Sequence, residues 1–215
     1  MRLTAILALA YFILLSCKKE KETINYDIEG TVLDINDNSP INDATVLVSK
    51  REVSSGTFNS SYSTITSEVT TADGKYSFTT PYGTVESFKF QISRDNYYGK
   101  EVLINPDDLA TNSINTLDFS LQSKGYINIR VLNATPWDQL DKISVNSINP
   151  SCANCVKFTS IQMVGSDIDT NLVGSVEANK YFKYQYAVTK NGSVNNYVDS
   201  VFCIIGDTTF KTLSF

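Results

Sequence analysis

Phe182-Lys183-Tyr184-Gln185-Tyr186-Ala187-Val188, followed three residues later by Asn191-Gly192, decides the fold class. Phe182, Tyr184, Tyr186 and Val188 alternate with polar or small neighbours, so a period of two places them on one face of a half-buried strand. Asn-Gly accepts the positive φ of a two-residue turn, and the chain is expected to double back toward Tyr197 as a hairpin. Val201, Cys203 and Ile205 continue the pattern, and Phe210 and Leu213 end it. Upstream, Ile127, Ile129 and Val131 alternate, then Ile143 and Val145, then Phe158, Ile161 and Met163. Residues 123–215 therefore read as a β-sandwich of immunoglobulin-like type, with Ser123-Lys124-Gly125 as its boundary.

The same period runs through residues 24–122. Ile24, Tyr26, Ile28 and Val32 share a face, as do Ala44, Val46 and Val48, and Ile65, Ser67 and Val69. Tyr76 and Phe78, then Phe88, Phe90 and Ile92, then Val102 and Ile104, and finally Leu117, Phe119 and Leu121 complete about seven short strands. Asp73-Gly74 is a tight-hairpin signal between two of them. The composition agrees. The chain of 215 residues is 42% hydrophobic with 12 Tyr and 11 Phe, and it is rich in Thr, Ser, Val and Ile, which suit a pleated surface. The expectation is all-β: two consecutive β-sandwich domains.

Three segments of the first half carry a resemblance. Gly30-Thr31-Val32, then Pro40-Ile41-Asn42-Asp43-Ala44-Thr45-Val46, then Thr71-Ala72-Asp73-Gly74-Lys75-Tyr76-Ser77-Phe78, together resemble the carboxypeptidase regulatory-like domain over roughly residues 27–121. The resemblance implies a prealbumin-like (transthyretin-like) sandwich of seven strands. It also implies an accessory module without catalytic residues of its own. The chain departs from the family at Asp43, where the family often carries Gly. It also departs in the Ser/Thr-rich stretch 49–64, which is expected to lengthen the second connection.

At the N-terminus Arg2 precedes an apolar run, Leu3 to Leu15, broken only by Thr4. Thirteen residues are too few to span a bilayer core, which needs about 20, and suit a signal peptide instead. Leu14-Leu15-Ser16-Cys17 resembles the lipobox of bacterial lipoproteins. That resemblance implies cleavage of residues 1–16 and acylation of Cys17, with two or three chains giving a stable membrane anchor. Lys18-Lys19-Glu20-Lys21-Glu22-Thr23 reads as a charged tether over residues 17–23. It also resembles the surface-export signals of some Gram-negative lipoproteins. The implied address is the outer membrane, facing the periplasm or the cell surface.

Charge and composition exclude several functions. Net charge is −5, and without residues 1–16 the balance is 17 basic against 23 acidic residues. Nucleic-acid binding, which neutralises phosphates with basic side chains, is therefore not expected. The chain has no His, which removes Ser-His-Asp and Cys-His catalysis and His-ligated metals. A hydrolase using paired carboxylates, for instance around Asp107-Asp108, survives as an alternative.

Cys152-Ala153-Asn154-Cys155 has redox spacing, but its flanks are strand-like rather than helical, so a loop disulfide Cys152–Cys155 is the plainer reading. A bridge from Cys203 to either loop cysteine stays open. Asp34-x-Asn36-x-Asn38 and Asp167-x-Asp169-x-Asn171 space oxygens like the opening of a calcium loop, yet both lack the later Gly and Glu. No metal or cofactor is expected. Tyr97-Tyr98 and Trp137 suit a sugar-stacking surface or, more often, a plug in the sandwich. The functional expectation is a non-catalytic, lipid-anchored envelope protein that binds or scaffolds a glycan or envelope-protein partner. The alternatives are a carboxylate-dependent glycan-processing enzyme and a structural subunit of a surface assembly.

Overall fold

The computed structural model describes residues 23–54, 57–58, 60–148 and 152–215. The leader, Cys17 and the tether up to Glu22 lie outside these residues. Apart from one 3-10 turn at Pro106–Asp108, the regular structure described is all β. The first half holds β1 (Asn25–Asp34), β2 (Thr45–Ser54), β3 (Thr57–Phe58), β4 (Ser63–Val69) and β5 (Lys75–Pro81). It continues with β6 (Val85–Ser93), β7 (Tyr97–Tyr98), β8 (Lys100–Ile104) and β9 (Ile114–Thr116). After β10 (Phe119–Leu132) come β11 (Lys142–Ser147), β12 (Ile161–Val164) and β13 (Asp169–Glu177). A long hairpin, β14 (Lys180–Lys190) and β15 (Ser193–Cys203), and then β16 (Thr208–Ser214) complete the chain.

Two sandwiches result. In the first, β1 lies between antiparallel β5 and parallel β9 and β10, and this sheet faces the antiparallel sheet β4-β2-β6-β8. Alternate residues of each strand turn inward, so Tyr26, Ile28 and Val32 meet Val46, Val48, Phe88, Phe90 and Ile92, all buried. Burying each such side chain contributes roughly 1.5–3 kcal/mol. In the second sandwich, β13-β10-β16 faces β12-β11-β14-β15 across Ile127, Ile129, Val131, Ile143, Val145, Tyr184 and Leu213.

The two cores share β10. Phe119 and Leu121 on its inner face belong to the first, Ile127, Ile129 and Val131 to the second. Ser123, Lys124 and Gly125, where the sequence suggests a join, lie inside this unbroken strand. The waist is small for a reason: a Cβ on Gly125 would stand 2.7 Å from the Ile204 carbonyl oxygen. Lys124 N–H donates to Asn96 O (2.7 Å), and its carbonyl accepts from Gly206 N–H (3.0 Å), so each half grips the waist.

Two local expectations need correction. Asp73-Gly74 does form a turn, with Gly74 at φ +69° and its N–H on Thr71 O (2.9 Å). But β4 pairs with β2 and β5 with β1, so the turn carries the chain between sheets and closes no hairpin. The polar stretch 49–64 is not a simple extended connection, because β2 runs on to Ser54 and pairs with β6 as far as Glu52. Asp43 takes φ +53°, a left-handed backbone that Asp tolerates and that glycine adopts without strain.

Candidate binding face

Asn191 (φ +47°) and Gly192 (φ +72°) make the two-residue turn between β14 and β15, which sets Lys190 opposite Ser193 and every later pair. Tyr186 falls opposite Tyr197, Tyr184 opposite Asp199 and Tyr181 opposite Phe202. Alternation then divides the hairpin into two faces. On the inner face the rings of Phe158, Phe182, Tyr184, Tyr186 and Tyr197 follow one another at centroid spacings of 5.8, 6.1, 6.3 and 4.9 Å. Tyr184 Oη donates to Asp199 Oδ2 (3.1 Å), and Lys211 Nζ reaches the same oxygen at 3.0 Å. The Lys211 hydrogen bond holds the Asp199 carboxyl below the usual range, while burial pushes the Tyr184 hydroxyl up.

The outer face is exposed and mixed. At one end Tyr181 and Phe202, 62% and 43% exposed, meet edge to face with centroids 5.2 Å apart. In the middle, Asn146 pairs with Gln185 and Gln185 with Val198, and the adjacent row sets Ala187 opposite Asn196. The small Ala187 leaves a shallow depression of about 250 Å³ bordered by these side chains. Asn146 Oδ1 is committed to Ser160 N–H (2.6 Å). Gln185 and Asn196 each carry amide donors and an acceptor, the chemistry that recognises hydroxyl groups. The cross-strand rows of this face from β12 to β15 contain Lys142 and Lys183 but no carboxylate.

The residues singled out in the sequence are dispersed. Cys152 and Cys155 are joined by a disulfide with Cα atoms 5.3 Å apart, and Tyr98 Oη lies 3.8 Å from Cys155 Sγ. Cys203 is a free, buried thiol whose pKa is raised by burial, the opposite of a reactive cysteine. The strand-like flank expected after the pair is irregular instead, with Val156 N–H on Ser175 O (2.8 Å). Asp34 Oδ1 accepts from Asn36 N–H (2.8 Å), and Asn38 closes the same turn with φ +59°. Asp169 is held by Arg130 through two bonds of 2.7 and 2.6 Å. Both calcium-like spacings thus serve a turn and an ion pair. Among the described residues no three His, Cys, Asp or Glu side chains are grouped to hold a metal ion.

Tyr97 and Tyr98 are half-buried, but Trp137 is 65% exposed on the loop before β11, which corrects the preferred reading of it as a core plug. Asp107 and Asp108 sit in the 3-10 turn capped by Asn105. A catalytic acid needs a raised pKa. Asp37, Asp169 and Asp199 are instead held down, chiefly by hydrogen bonds from Ser39, Arg130 and Lys211. At Asp141 desolvation pushes up, but bonds from Asn133 and the Trp137 N–H push further down. The Tyr181–Phe202 pair and the Ala187 depression were missed in the sequence, although the Asn191-Gly192 turn alone implies their register.

No helix among the described residues is long and apolar enough to cross a membrane. No protein-family model matches the chain, and no curated protein matches it in sequence. Among solved structures it is similar to the Bacillus anthracis TIE protein, at 11% identity and TM-score 0.39 over 88% of this chain and 34% of that one. It is also similar to the Streptococcus agalactiae minor pilin GBS52, at 10% identity and TM-score 0.35 over 88% of this chain and 94% of that one. A third is the Lactobacillus rhamnosus GG shaft pilin SpaA, at 9% identity and TM-score 0.35 over 90% and 98%. The chain spans about a third of the length of the first of these. At such scores the likeness assigns this chain neither an activity nor a partner.

Proposed function

We propose that this chain is a lipid-anchored cell-envelope protein that binds or scaffolds a partner and performs no catalysis. Cys17 carries the acyl chains, residues 17–23 form the tether, and the protein sits on the outer membrane facing the periplasm or the cell surface. The first sandwich is the carboxypeptidase regulatory-like, prealbumin-like lobe, and the immunoglobulin-like second lobe presents the binding face. The observation that supports this reading is the exposed outer face of β11, β14 and β15: amides around a small depression, with an aromatic pair farther along the same face beyond the Lys183–Ser200 row. A glycan fits such a face, since sugar hydroxyls pair with amides and ring faces cover apolar sugar edges. Glycan hydrolysis fits it poorly, because two carboxyls would have to flank the bond and the rows of this face hold none.

The test is a glycan array, run with envelope fractions in parallel, on the full chain and on Gln185→Ala, Asn196→Ala and Tyr181→Ala. The expected result is retention of one glycan class that each substitution weakens at least tenfold. Retention of nothing, or equal retention by all variants, would overturn the reading. A subunit role in a surface assembly is favoured by a separate feature, the long free edge of β15.

A further inference from the structure

We propose that a second copy of this chain docks along β15, the two strands running antiparallel about a two-fold axis through Val198. Natural sheets blunt their edges with short strands, Lys, Pro, bulges or inward-pointing charges. β15 has only the last, Asp199, whose carboxylate Lys211 meets at 3.0 Å; its eleven residues, Ser193-Val194-Asn195-Asn196-Tyr197-Val198-Asp199-Ser200-Val201-Phe202-Cys203, include no Lys, Arg, Pro or Gly. It is the longest edge strand among the described residues and pairs only with β14.

The tight turn makes Lys190–Ser193 a hydrogen-bonded pair. Ser193, Asn195, Tyr197, Asp199 and Val201 therefore aim their main chain at β14, and the intervening residues aim theirs at the free edge. Among the described residues, Val194, Asn196 and Val198 have no partner for these edge groups. Ser200 N–H rests on Asp199 Oδ1 (2.7 Å) and Phe202 O accepts from Thr209 Oγ1 (3.3 Å). Pairing requires Ser200 to exchange that side-chain acceptor for a main-chain one.

The strand is its own complement. Val198 is its midpoint, so a two-fold axis there engages all eleven residues, whereas an axis at Asn196 or Ser200 engages only 193–199 or 197–203. About Val198, Val198 meets Val198, Val194 meets Phe202 and Asn196 meets Ser200, apolar on apolar and polar on polar. Asp199 falls opposite Tyr197 and not another carboxylate, so no like charges oppose each other. Val194, Val198 and Phe202, at 59%, 72% and 43% exposed, are the apolar side chains that this pairing covers. The product is one eight-stranded sheet with two Ala187 depressions on a common face. Dimerisation needs no ligand, so it stands or falls apart from the glycan reading.

In a hydrogen-bonded antiparallel pair Cα atoms lie about 5.5 Å apart, within disulfide reach. The full chain carrying Val198→Cys, oxidised mildly in native membranes, is expected to give at least ten times more crosslinked dimer than Val173→Cys, an exposed position on β13 in the other sheet. Val198→Lys, which sets two ammonium groups face to face, is expected to yield monomers by light scattering in detergent with an unchanged melting temperature. Crosslinking of Val198→Cys no greater than the control, or a Val198→Lys protein that stays dimeric, would overturn the proposal.

Discussion

Gly30→Ala tests why the inner row of β1 is interrupted. Residues 26, 28, 30, 32 and 34 all turn inward, yet position 30 has no side chain. A Cβ there would lie 1.9 Å from the Leu117 carbonyl oxygen and 2.9 Å from the Tyr76 ring, far inside the 3.0 Å that real Cβ contacts keep. Leu117 is tied down on both sides: its N–H donates to Glu29 O (2.8 Å) and its carbonyl accepts from Tyr76 Oη (2.6 Å). Relief therefore moves backbone. Overpacking alone costs about 1–3 kcal/mol, and losing the tyrosine hydrogen bond adds about 1 kcal/mol. We expect a loss of about 3 kcal/mol, which for a lobe of about 100 residues lowers Tm by roughly 12–24 °C. Thermal melts of the full chain followed by circular dichroism, with urea titration as a check, measure it. A Gly30→Ala protein melting within about 3 °C of wild type would refute the close approach of Leu117 and Tyr76 over β1.

Two further outcomes follow from the second lobe. Asp199 has a pKa lowered by Lys211, so its contribution is present above the unfolded value of about 3.9 and is lost as pH falls through the lower folded value. Wild type should lose stability below about pH 4, and Lys211→Met should flatten that part of the curve by no more than about 1 kcal/mol, since the pair is part-exposed; a steeper curve in the variant would contradict this. Reduction of Cys152–Cys155 opens a very short loop and should cost at most about 2 kcal/mol, read as a lower urea midpoint. An unchanged midpoint after complete reduction would show that the bridge contributes nothing to the fold.

Strands whose faces differ in polarity were legible, because alternation is a local signal. Phe182 to Val188 and Tyr26 to Val32 announce themselves, and Asn191-Gly192 even specifies register. Asp73-Gly74 carries the same turn chemistry, but which strand each flank joins depends on contacts with β1 and β2 that no local pattern encodes. β13 escaped for a different reason. Only Val176 on it is buried, and its strand state rests on a nine-residue ladder with β10. Ser123-Lys124-Gly125 resembles a linker by composition, yet its small residues are what a strand passing under Ile204 requires. The candidate face was hidden because it is built from exposed side chains on three strands, whose neighbours emerge only once β11, β14 and β15 are in register.

Intact mass and peptide mass spectrometry of the protein purified from its native membrane bears most directly on the proposed role. The expected N-terminus is Cys17 carrying a diacylglyceryl group on sulfur, with residues 1–16 removed. An uncut leader, or Cys17 bare at the N-terminus, would contradict the anchor and the envelope address that depends on it.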